Sequence, residues 1–99
     1  MANDERKRAL EAAHILNSKV FAEAIEGIQG RAVEMWRNGK TAQEREEAWH
    51  IQRAAALLQR EIFNVLQCAA VNAGGKDEVL NEEVSKAKEK ANGRRSRSK

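Results

Sequence analysis

The chain is 99 residues long with a formal charge of +3, no proline, no tyrosine and one cysteine. That length makes one small domain, and a body of this size buries only about 60% of the surface its unfolded chain exposes. Ala, Glu, Lys, Arg and Leu dominate, no alternating β-branched run is long enough for a strand, and no stretch approaches 18 apolar residues, which excludes an all-β fold and a membrane span.

Asn3 can cap a first helix, with Asp4 and Glu5 in the turn where the helix dipole favours acids. Leu10, Ala13 and Leu16 give it an apolar line. Asn17-Ser18 offers a second cap, so the first arm is expected to kink or break there before Phe21, Ile25, Ile28, Ala32 and Met35 continue on one face.

Asn38-Gly39-Lys40 is the clearest stop, with Gly39 suited to a left-handed helix closure. Thr41 and Glu44 follow at the spacing of a capping box. The next helix should run from Ala42 to about Ala73, roughly 48 Å at 1.5 Å per residue, and end at Gly74-Gly75. Along it Ala48, Ile51, Ala55, Leu58, Ile62, Val65 and Ala69 recur at steps of three and four, the seam of a helix lying along another.

A connection this short makes the flanking helices antiparallel neighbours. Folding about Gly39-Lys40 sets Phe21 opposite Leu58, Ile25 opposite Ala55, Ile28 opposite Ile51 and Ala32 opposite Ala48. Further out, Leu16 meets Ile62, Ala13 meets Val65 or Leu66, and Leu10 meets Ala69. The same register puts Gly30 across from Trp49, either as a bare backbone beneath an indole or as a plainly tolerated glycine. Trp36 and Trp49 flank the turn, either clamping the open end of the hairpin or presenting aromatics to a partner.

A second apolar set remains: Val20, Ala24, Val33, Leu57, Phe63, Leu66, Ala70 and Val71. Two helices cannot bury both sides of the long arm, so a C-terminal segment, a second copy or another protein must cover it. Asp77–Ala91 offers only a thin apolar stripe. The expected organisation is all-α: a helical hairpin domain over 1–75, a weakly packed short helix over 76–92 and a disordered basic tail over 93–99, becoming a helical bundle on self-association. Cys68 is expected as a buried small apolar side chain in a reducing compartment.

Candidate chemistry is sparse. His14 and His50 lie about one arm apart, and Cys68 is roughly 27 Å along the helix from His50, so no metal site is expected. Acidic groups at Glu44-Glu46-Glu47 and Asp77-Glu78-Glu82-Glu83 fit helix starts and salt-bridge spacing better than acid–base catalysis. No phosphate loop, nucleophile elbow or dinucleotide fingerprint occurs, so neither an enzyme nor a cofactor is expected.

The tail reads either as a phosphate-binding segment or as an ordinary solubilising terminus. Arg94, Arg95, Arg97 and Lys99 contribute four positive charges to a net of +3, so residues 1–93 sum to −1. Such a tail can attract phosphates in a weak, salt-dependent and sequence-blind way. Arg6, Lys7 and Arg8 add charge near the chain start.

The run Ala12-Ala13 with Ile15-Leu16-Asn17, Phe21, Ala24-Ile25, Trp36-Arg37, Thr41, Arg45-Glu46 and Trp49 resembles a family of small helical proteins of tailed bacteriophages and prophages, encoded among capsid and head-assembly genes. The similarity covers about residues 12–66. The family often has a proline where this chain has Lys19, in keeping with a helix start there. No catalytic residues transfer with it.

The resemblance implies a phage structural or morphogenesis setting: a non-enzymatic protein in the host cytoplasm or the virion that packs against itself or a capsid or portal component. Trp36, Trp49, Val20, Ala24, Leu57, Phe63 and Leu66 are the expected packing or partner residues. The alternatives are a small protein binding nucleic acid through Arg94–Lys99, and a host-directed inhibitor docking by the same helix face.

Overall fold

A computed structural model describes the backbone of residues 2–97 and the side chains of residues 3–90. The described residues form four helices and no strand: α1 (Ala2–Asn17), α2 (Lys19–Asn38), α3 (Ala42–Asn72) and α4 (Glu78–Arg97). None is long and apolar enough to cross a membrane. The chain is all-α and divides into two compact units. One holds α1, α3 from Glu61 onward and α4; the other is Ser18–Arg60.

The first unit is built on small side chains. Ala9, Ala12 and Ala13 of α1 are buried with Leu66, Ala69 and Ala70 of α3 and Leu80 of α4, and Leu10, Leu16, Ile62, Val65 and Val84 pack around them. Alanine faces let helices approach closely, so many weak atom contacts replace a few bulky ones. The residues expected to meet between the outer parts of the arms all belong to this cluster. α4 is more than the thin cover expected, because Leu80 is only 1% exposed. Cys68 corrects a second expectation: it is exposed. At about 100° per residue it points away from the side of α3 that carries Leu66, Ala69 and Ala70.

Polar clamps tie these helices together. Asn72 Nδ2 donates to Glu5 Oε2 at 2.8 Å, and Asn17 Nδ2 donates to Glu83 Oε2 at 2.9 Å. Lys90 Nζ donates to Asn17 Oδ1 at 3.1 Å, so both halves of that amide are used by α4. Between α3 and α4 the chain reverses through Gly74 (φ 69°) and Gly75 (φ 75°), the left-handed conformation that a side chain disfavours. Their amides donate to Val71 O at 2.9 Å and Ala70 O at 3.4 Å, satisfying carbonyls that the helix end leaves open.

The helix boundaries follow local chemistry. α1 stops at Asn17 because Ser18 takes an extended conformation (φ −69°, ψ 127°) and its side chain accepts from the Phe21 amide at 3.2 Å. Asn3, expected as a cap, lies inside α1, with Asp4 and Glu5 in its first turn. At α3 the Thr41 hydroxyl accepts from the Glu44 amide at 3.1 Å, and the Glu44 carboxylate accepts from the Lys40 amide at 3.0 Å.

Gly39 corrects a further expectation. Its φ of −65° is ordinary, so no left-handed closure is made. Space is the constraint instead, since a Cβ there would lie 3.0 Å from Met35 O and 3.2 Å from Arg45 Cγ.

In Ser18–Arg60 the buried apolar residues are Ile25 and Ala32 on α2 and Ala48 and Ala55 on α3, seven apart on each helix. The other row of the expected seam is open: Ile28 and Ile51 are exposed, Leu58 is 48% exposed, and Phe21 is half-buried. Leu58 therefore does not close against Phe21 as the heptad pattern predicts. An apolar stripe of that kind spans 100° or more of the helix, and a single neighbouring helix covers only part of it.

Candidate interaction surface

Of the large apolar residues that stay exposed, nine lie between Ser18 and Arg60, whereas Ile25 is the one large side chain fully buried there. Trp36 is 59% and Trp49 51% exposed, so the two indoles do not form a buried clamp at the turn. Trp49 is held in another way. His50 meets its ring edge-on with centroids 5.2 Å apart, and the Arg53 guanidinium lies 5.3 Å from its centroid. Gly30 has nothing within 4 Å of an added Cβ, so Trp49 does not stack over it and the glycine is simply tolerated.

Helical geometry sorts the exposed residues. On α2, Ile28, Met35 and Ala24 lie about 50–90° to one side of the Ile25–Ala32 line, taking 100° per residue. On α3, Ile51, Leu58 and Ala54 lie about 50–110° from the Ala48–Ala55 line, in the same rotational sense. All six are exposed. The opposite sides are mixed, carrying Gln29, Val33 and Trp36 on α2 and Arg45, Trp49, Gln52 and Gln59 on α3.

The expected interaction residues separate accordingly. Ala24 lies on the apolar side of α2 and Val20 at its edge, but Leu57 points away from the apolar side of α3. Phe63 is half-buried and Leu66 wholly buried. Leu66 thus serves packing within its own unit and is closed to a partner. The heptad reading missed Ile28, Met35, Ile51 and Leu58 as surface because it assigned them to the seam.

Several of the polar groups weighed for chemistry make local contacts. Glu44 closes its capping box, His50 Nε2 sits 3.7 Å from Glu46 Oε1, and Glu83 bonds both Asn17 and Lys86. Arg45 Nε donates across the turn to Gly39 O at 3.4 Å. Asp77 Oδ1 accepts from the Leu80 amide at 3.3 Å and caps α4, while Oδ2 accepts from Arg6 Nε at 2.8 Å. The Arg6 hydrogen bond, opposed by partial desolvation and reinforced by the Leu80 amide, holds the Asp77 carboxyl below the usual aspartate value.

Among the described residues no charged or polar side chain is buried, and no group of His, Cys, Asp and Glu could hold a metal ion. A shallow open depression is lined by Ala73, Lys76, Asp77, Glu78 and Val79 at the start of α4. The side chains of Arg94, Arg95, Arg97 and Lys99 lie outside the described residues, whereas the backbone of 93–97, expected as part of a disordered tail, continues α4.

Comparison with family models, curated proteins and solved structures gives no match for this chain.

Proposed function

We propose that Ser18–Arg60 is an antiparallel helical hairpin and that the protein is a non-enzymatic phage structural or assembly protein, working through helix packing with itself or with a head component. The hairpin is supported by the three-residue connection and by the buried pairs Ile25 with Ala55 and Ala32 with Ala48, which fall at one constant register. The phage setting is supported by the resemblance carried by Trp36-Arg37, Arg45-Glu46 and Trp49.

The observation that carries the packing role is the open row Ile28, Met35, Ile51 and Leu58. In an antiparallel pair, residues displaced in the same rotational sense on both helices fall on one side of the hairpin. These four therefore make one continuous apolar face, with the glutamines and both tryptophans on the other. A segment this short with a single large buried side chain is marginal alone, and association supplies the missing burial.

Sedimentation across a concentration series, with a hydrophobic dye as a second readout, tests the packing role. A chain that stays monomeric at high concentration and binds no dye rejects it. Mass spectrometry of purified particles and assembly intermediates tests the setting. Removal of Arg94–Lys99 should leave association intact, whereas loss of binding on that deletion would favour the nucleic-acid alternative.

A further inference from the structure

We infer that the occupant of the open face is a second copy of this chain, and that the two hairpins stack with a two-fold axis parallel to their helices, laying α2 of each copy on α3 of the other. The inference rests on the hairpin reading above but not on the phage setting.

Size is the first argument. α2 has 20 residues, and in the hairpin α3 runs alongside it. At 1.5 Å per residue and about 10 Å between axes, the face is roughly 30 by 20 Å, or about 600 Å². That is of the order of the roughly 800 Å² per partner that a stable interface buries. Ala24 and Ala54 project straight out of it and allow close approach, while Met35 and Leu58 supply bulk.

Charge selects the second copy over an unrelated partner. Ser18–Arg60 carries seven Lys or Arg and six Glu, a net of +1, so two copies meet with little net repulsion. Two charges lie on the face itself, about 90–110° from the buried lines: Arg31 on α2 and Glu47 on α3. Both are exposed, and neither makes an ion pair or hydrogen bond among the described residues.

The register makes them complementary. Ile25 is level with Ala55, so Arg31 is level with Trp49, two residues or about 3 Å along the axis from Glu47. A two-fold parallel to the helices preserves that level. It sets Arg31 of each copy against Glu47 of the other, twice by symmetry. The result is a four-helix bundle in which every neighbouring pair runs antiparallel.

The test is a charge swap in the full chain, read by sedimentation equilibrium. The parent chain should dimerise. Arg31→Glu and Glu47→Arg should each weaken the dimer by about tenfold or more, because symmetry applies each like-charge contact twice. The combined R31E/E47R chain should regain dimerisation. Leu58→Asp should abolish it while circular dichroism retains the helix signal.

A parent chain that remains monomeric, or a combined variant as weak as the single ones, overturns the inference. Nitroxides at Ala22→Cys and Ala56→Cys in a Cys68→Ser chain, diluted with unlabelled protein, read the hairpin separately. A short separation with a monomeric parent chain defeats the second-copy arrangement alone; a long separation defeats the hairpin as well.

Discussion

Arg6 and Asp77 are 71 positions apart, yet Arg6 Nε donates to Asp77 Oδ2 at 2.8 Å. The other oxygen of the same carboxylate caps α4 through the Leu80 amide. One residue therefore starts a helix and fastens it to the first helix of the chain.

The consequence is a dependence on pH. The folded carboxyl titrates below its unfolded value, so its contribution is complete above about pH 4 and is lost as pH falls through the depressed folded value. Asp77→Asn keeps a capping side chain but removes the charge. Its urea midpoint should fall at pH 7 and decline less steeply than the parent's on acidification below about pH 4. Denaturation curves across that range check both.

Leu80 is the largest contribution α4 makes to the first core. Leu80→Ala should cost roughly 2–5 kcal/mol, because the cavity left among alanines has little bulk nearby to collapse into it. Val79→Ala, one residue earlier and exposed, should fall within about 0.5 kcal/mol of the parent chain. Thermal unfolding of the two variants gives the comparison.

Three glycines should respond differently to alanine. An added Cβ at Gly27 or Gly30 meets nothing, so each substitution should stabilise the chain by roughly 0.5–1 kcal/mol through helix propensity. Gly39→Ala should destabilise by about 1–3 kcal/mol despite an ordinary φ, because the new methyl crowds the Met35 carbonyl. Chemical denaturation of the three variants separates torsion from space.

Cys68 faces outward, so it should react with a water-soluble disulfide reagent in the folded chain at a rate that denaturant raises only slightly. Protection until unfolding would show that the thiol is covered in solution.

What could be read from the chain was its punctuation. Ser18 before Lys19, Thr41 with Glu44, and Gly74-Gly75 each act within a few residues, so their hydrogen bonds and torsions follow from local chemistry alone. The same locality made the absence of strands legible. The heptad stripe also placed Ile25, Ala32, Ala48 and Ala55 on the buried side correctly.

Burial at the remaining positions is not a property of the helix that carries them. Ile51 and Leu58 satisfy the same periodic pattern as Ala48 and Ala55, yet stay exposed because the described residues do not enclose that side of α3. Cys68, also expected inside, is exposed because it lies on the side of α3 away from Leu66 and Ala69, whereas Leu80 of the thin stripe is enclosed with α1 and α3 residues. Periodicity says which side chains share a face; only the tertiary arrangement says which faces have a neighbour, because water is excluded by what stands opposite.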